Sequence, residues 1–415
     1  MNNQSNNAAN AASEGASMNF FGPAFAENPF PVFTQMRSVG AVVPIPAPFV
    51  GGDQQVWLVT RLEEAIQILK DRQFTVDPST INSQDDTWSD TSSPGHLLGQ
   101  SMISVDEPDH RRLRGLVSKA FTPKYIQSLR PSIQQIADEL LDRVQAQGHM
   151  DLVNDYAFPL PITVISDMLG VPTQNREIIR EWSDTLTGAI DTGRRRDRKD
   201  RTQVFIDYLV QLIAEKRQHP QDDLISQLVQ IEEAGDRLYE GELLSMIALL
   251  IFAGHETTSN LIGIGTLMLL DHPEQMQQLK QDLSLVPSAV EELLRYNGPV
   301  LSPAPRFATT DVILAGQQVH KGDVILVILG SANRDESQFT HPDELEIARS
   351  LNRHIAFGQG IHICLGAPLA RLEGDIAFTT LLRRMPNLQL SIPRADVSWR
   401  GSFNLRGVKS LPVTF

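Results

Sequence analysis

The chain has one cysteine, Cys364, in the run Phe357-Gly358-Gln359-Gly360-Ile361-His362-Ile363-Cys364-Leu365-Gly366. Gly358 and Gly360 permit backbone angles that a Cβ resists, so the run can close as a tight loop. A helical pattern follows over 366–384 and places the thiol just before a helix N-terminus. There, free amides and the helix dipole stabilise a negative sulfur. A lone cysteine is ordinarily a small buried hydrophobe. One framed by glycines, two residues after a histidine and at the start of a helix, reads instead as a thiolate ligand for haem iron. With no second thiol, the chain has no intrachain disulfide framework, and it lacks the roughly four cysteines of a self-contained iron–sulfur cluster. A reducing cytoplasm suits such a protein.

The fixed positions Phe357, Gly360, His362, Cys364 and Gly366 fill the pattern Phe-x-x-Gly-x-His-x-Cys-x-Gly. This pattern resembles the haem-binding signature of the cytochrome P-450 monooxygenases. Further matches in the same order extend the resemblance over 18–415, and they look most like the soluble bacterial branch that hydroxylates macrolides, polyketides and terpenoids. The resemblance implies a mainly α fold with small β-sheets, a single large domain and haem b as cofactor. Cys364 is then the iron ligand, with Phe357, Gly358, Gly366 and Ala253 beside the ring.

Composition agrees with that class. The 415 residues carry 36 basic and 50 acidic side chains, and the net charge of −14 argues against a nucleic-acid binder that relies on bulk charge. Residues 1–17 are rich in Asn, Ala and Ser and read as a disordered tail. They lack the basic start and apolar core of a signal peptide. The longest strongly apolar run, Met246 to Gly254, is under half of the roughly 20 residues of a membrane span, so no membrane anchor is expected. Helical periodicity covers 62–70, 108–120, 123–147, 159–169, 173–190, 200–218, 222–233, 240–271, 273–281 and 286–296. Strands are expected near 56–60, 312–315 and 324–328, and a polar loop over 75–100.

Within the run 240–271, Ala253-Gly254-His255-Glu256-Thr257-Thr258 places an acid and an alcohol in an apolar helix. A glycine inside a buried helix costs about 1 kcal/mol, which predicts a local opening beside a ligand. By resemblance, Glu256 and Thr257 form an acid–alcohol pair that delivers protons during dioxygen activation. His110 and Arg114 share a helix face and suit a carboxylate such as a haem propionate. The resemblance adds Arg306 and His362 as further propionate partners. It also makes Glu292 and Arg295, spaced as an ion pair, a structural element with Arg334 as its third member.

The pocket expected by resemblance includes Leu249, Ala253, Val300, Leu301 and Phe403. Its apolar character fits a polyketide or macrolide, a terpenoid, a steroid or a fatty acid. Electrons would come from a ferredoxin or flavodoxin with an NAD(P)H-dependent reductase, docked on Arg111, Arg112, Lys119 and Arg371. The run Arg194-Arg195-Arg196-Asp197-Arg198-Lys199 reads as a solvated loop, or as a border of the entrance that attracts an acidic or carrier-protein-bound substrate. A peroxygenase, which by resemblance has an Arg-Pro pair where this chain has Glu256-Thr257, and a non-enzymatic haem-thiolate sensor are the rival functions.

Overall fold

Apolar residues on every face of 246–252 predict a buried helix, and Glu240–Asp271 forms one continuous helix of 32 residues. It is long and apolar enough by composition to cross a membrane. Its most apolar stretch, however, is 78% buried inside the protein, as befits a core helix. The computed structural model describes residues 23–45, 55–81, 97–187, 195–233, 238–401 and 404–415. The tail expected over 1–17 lies outside the described residues.

Six helices position the site: α1 (Leu62–Lys70), α2 (Asp109–Val117), α3 (Pro159–Leu169), α4 (Glu240–Asp271), α5 (Val286–Asn297) and α6 (Ala367–Arg384). The central α4 packs against α3, α5 and α6, and their apolar faces build the largest core cluster. The helix expected over 123–147 divides into Pro123–Ser128 and Arg130–Gln145. Pro131 has no amide to extend the first piece, and its ring starts the second. Phe30–Val39 is a helix that periodicity did not reveal; Pro31 sits in its first turn, where a missing N–H is harmless. The basic run at 195–199 opens the helix Arg195–Gln218 and is not a loop, while Arg194 lies outside the described residues.

A five-stranded sheet runs in the order Val42–Ile45, Val56–Val59, Val324–Val327, Arg306–Ala308, Phe74–Thr75. Val56–Val59 and Val324–Val327 pair in parallel and the other neighbours are antiparallel. Short two- and three-stranded sheets complete a mainly α architecture.

The acid–arginine element on α5 is present, with a different third member. Glu292 is fully buried and accepts Arg295 Nε at 2.7 Å and Nη2 at 2.8 Å. Arg349, not Arg334, completes it, with Nε 3.1 Å from both Glu292 oxygens. Asn352 Nδ2 and the Glu346 amide, each at 3.0 Å, add to the same carboxylate. Arg334 instead donates to the Tyr296 carbonyl and Asp343, and its guanidinium lies 3.5 Å over the Phe30 ring.

Candidate active site

The cysteine loop and α4 face a common cavity. From α4 come Leu249, Ala253, Gly254, Thr257 and Thr258; from the loop and the start of α6 come Phe357, Gly358, His362, Cys364 and Gly366. About 1510 Å³ of empty space lies between the walls, the mouth included. Sequence separation is bridged by sharp backbone turns: Gly358 and Gly360 adopt φ of 71° and 75°, and the Cys364 amide donates to the Phe357 carbonyl at 2.9 Å. Helix α6 begins at Ala367, as the pattern predicted.

The Cys364 sulfur is accessible, but to the cavity, since it lies deep in the fold. Burial pushes its thiol above the ordinary cysteine range, while the Gly366 amide, Arg114, the Ala367 amide and Arg371 pull the other way. A metal cation at the sulfur would settle that contest, because a coordinating thiol is deprotonated outright.

One edge of the cavity is cationic. His110 and Arg114 from α2, Arg306 from its strand and His362 from the loop all line it. His110 is 3% exposed and its Nε2 has no hydrogen-bond partner. The His110 and His362 rings lie 4.4 Å apart. Burial, then the positive charges of His362 and Arg114, push His110 from 6.5 down to about 4. Arg306 is 4% exposed and donates to the Ala304 carbonyl at 3.0 Å; burial lowers it to about 10. Arg114 donates to the Ile361 carbonyl at 3.2 Å. Neither arginine forms an ion pair among the described residues.

His362 meets Asp106 at 3.3 Å. Burial would raise Asp106, but hydrogen bonds from His362, Thr75 and the Val76 amide hold it at about 2. Buried charge needs a counter-charge. Two guanidinium groups and an orphaned imidazole nitrogen at the edge of an apolar slot, with a thiol in one wall, fit a haem and its two propionates.

The acid and the alcohol of α4 do not face the same way. The Thr257 hydroxyl lines the cavity and donates to the Ala253 carbonyl at 3.1 Å. Glu256 is 1% exposed and lies off the cavity wall. Its Oε1 accepts Asn260 Nδ2 at 3.0 Å and pairs with Arg400 at 2.9 Å, while Oε2 has no hydrogen-bond partner and lies 4.0 Å from His255 Nε2. Arg400 also reaches Asp184 at 3.2 Å. The opening expected at Gly254 is absent, because α4 is unbroken there. A Cβ at this position would lie 2.5 Å from Ile165 Cγ1, so the glycine admits α3 instead.

Of the expected pocket residues, Leu249, Ala253 and Val300 line the cavity. Leu301 does not: it is 2% exposed and buried in the cluster of Phe33, Phe307 and Ile328. Phe403 lies outside the described residues. Met102, Ile103, Phe121 and Ile165 also line the cavity and had no sequence signal, since they are ordinary apolar residues in unrelated segments. The arginines of the expected docking patch are already paired: Arg111 with Glu107, Arg112 with Asp109 and Glu242, and Arg371 with Glu291.

Comparison with known proteins agrees with this geometry. The family model described as Cytochrome P450 matches residues 51–391. The chain is 48% identical over 368 residues to cytochrome P450 CYP107DY1 of Priestia megaterium, covering 86% of this chain and 89% of that one. It is 43% identical over 394 residues to the polyketide biosynthesis cytochrome P450 PksS of Bacillus subtilis, covering 95% and 97%. The crystal structure of the myxobacterial cytochrome P450 CYP267B1 in complex with myristic acid superposes with a TM-score of 0.89 at 39% identity, covering 95% and 98% of the two chains. A thiol set in a glycine-turned loop, a cationic edge whose two arginines have no ion pair among the described residues, and these matches agree: the chain is a haem-binding monooxygenase of the cytochrome P450 family.

Proposed function

We propose that this enzyme inserts one atom of dioxygen into an apolar natural-product scaffold of polyketide or macrolide type, with Cys364 as the iron ligand. The observation that carries the reading is the cavity itself, with Cys364 in one wall, Thr257 in another, and at its edge Arg114 and Arg306 without ion pairs among the described residues beside the unpartnered Nε2 of His110. Bound haem supplies the dioxygen activation.

The chain's residues have separate tasks. The amides of Gly366 and Ala367 hold negative charge on the sulfur. His110, Arg114, Arg306 and His362 orient the ring by its carboxylates. Leu249, Ala253 and Val300 present an apolar surface that excludes water and holds the substrate. Thr257 holds a proton at the cavity wall, while Glu256, one residue away, is buried off that wall against Asn260 and Arg400. The likeness to PksS favours a polyketide, and the likeness to a fatty-acid-bound structure makes a long acyl chain the alternative.

Electrons come from a ferredoxin or flavodoxin with its reductase, since the single thiol cannot build a second redox centre. The groove between α2 and the helix Leu224–Glu233, lined by Lys119, Arg111, Leu116 and Leu228, is the proposed docking face. A reducing cytoplasm suits the free thiol.

The test is the absorption spectrum of the dithionite-reduced, carbon monoxide-bound protein. A strongly red-shifted Soret band that Cys364→Ser abolishes is expected; an imidazole-type band in the parent would overturn the ligand assignment. Substrate-induced spin-state shifts across polyketides, macrolides and fatty acids then rank the scaffolds.

A further inference from the structure

We propose that Glu291 is a positioning residue for the cysteine loop: it holds His354 and Arg371 against Phe357 and so sets the electrostatic surroundings of the Cys364 sulfur. This rests on Cys364 being the iron ligand. Glu291 neighbours Glu292 on α5 but serves a different cluster. Arg371, from α6, donates Nε to its Oε1 at 2.7 Å and Nη2 to its Oε2 at 2.9 Å.

His354 meets the same Oε2 through Nε2 at 3.1 Å. The His354 side chain is 2% exposed, and its Nδ1 accepts the Ala356 amide at 3.1 Å. An imidazole that accepts at Nδ1 carries its proton on Nε2, so His354 donates to Glu291. One carboxylate therefore fixes both the backbone just before the loop and the cation of α6.

The second arm reaches the loop that carries the sulfur. The Arg371 guanidinium sits 4.5 Å over the Phe357 ring, and the Phe357 carbonyl accepts the Cys364 amide. Without Glu291, Arg371 would act on the sulfur as an uncompensated cation. With it, the cation is held in place and partly neutralised.

Two single changes then act in opposite directions on the haem reduction potential. Positive charge near the sulfur favours the reduced state, which carries one more electron. Glu291→Gln unmasks Arg371 and is expected to raise the potential. Arg371→Gln removes the cation and is expected to lower it. The double variant should return close to the parent.

The experiment is a spectroelectrochemical titration of the haem-loaded full chain and these variants, with the carbon monoxide spectrum of each recorded in parallel. A tenfold change in the reduction equilibrium corresponds to about 59 mV for one electron. Glu291→Asp and Arg371→Lys, which keep the charges, should stay near the parent value. Shifts of the same sign in Glu291→Gln and Arg371→Gln, or none in either, would overturn the proposal while the thiolate-type band persists. Loss of that band in the parent would instead overturn the ligand assignment and the proposal with it.

Discussion

Thr257 shows how much a single side chain can decide. Its hydroxyl donates to the Ala253 carbonyl, and the residue lines the cavity. Thr257→Ala is expected to keep haem and substrate binding while product formation falls on the order of 10²-fold, the size of a positioned proton donor's contribution. The NAD(P)H consumed should reappear as peroxide, and the ratio of product to peroxide measures it. His110 carries a pH signature. In the haem-free chain its pKa is lowered from 6.5 to about 4. The unfolded state therefore binds more protons between those values, and stability falls as pH drops through that window. A propionate beside His110 would raise it again, so the loss between pH 6.5 and 4 should be smaller in the haem-loaded protein, as denaturant titrations at several pH values would show.

Among the elements, the contact of α3 with α4 is set by Gly254. Gly254→Ala forces a Cβ against Ile165 Cγ1. Overpacking of this kind costs roughly 1–3 kcal/mol and outweighs the roughly 1 kcal/mol gained in helix propensity. Adding Ile165→Ala should make the pair less destabilising than the sum of the singles, which a double-mutant cycle by urea unfolding tests. The elements themselves were largely legible: Leu62–Lys70, the long α4 and the start of α6 follow from the helical pattern of the sequence. What spacing cannot give is direction. Glu256 and Thr257 are adjacent in sequence, yet 3.6 residues per turn send them to different faces. Arg334 and Arg349 both follow α5 in the chain, and only the course of the backbone between them decides which reaches Glu292. Leu301 adjoins Val300, yet the chain bends there and Leu301 enters the core while Val300 lines the cavity.

At the scale of the molecule, the cavity is assembled from distant segments: Leu69 lies in the last turn of α1, His110 on α2, Thr257 on α4, Arg306 in the sheet and Cys364 before α6. A ligand that touches all of them stabilises the whole fold by mass action. Haem-loaded protein is accordingly expected to melt well above the haem-free form, with the gap rising as free haem increases. The sulfur at the centre of this arrangement is also the molecule's one thiol, and it opens onto the slot the haem would fill. A chromogenic thiol reagent on native protein then counts the chains whose slot is empty, and the same reagent in denaturant counts them all. The chain thus reports its own cofactor occupancy by stoichiometry, with no reference to colour.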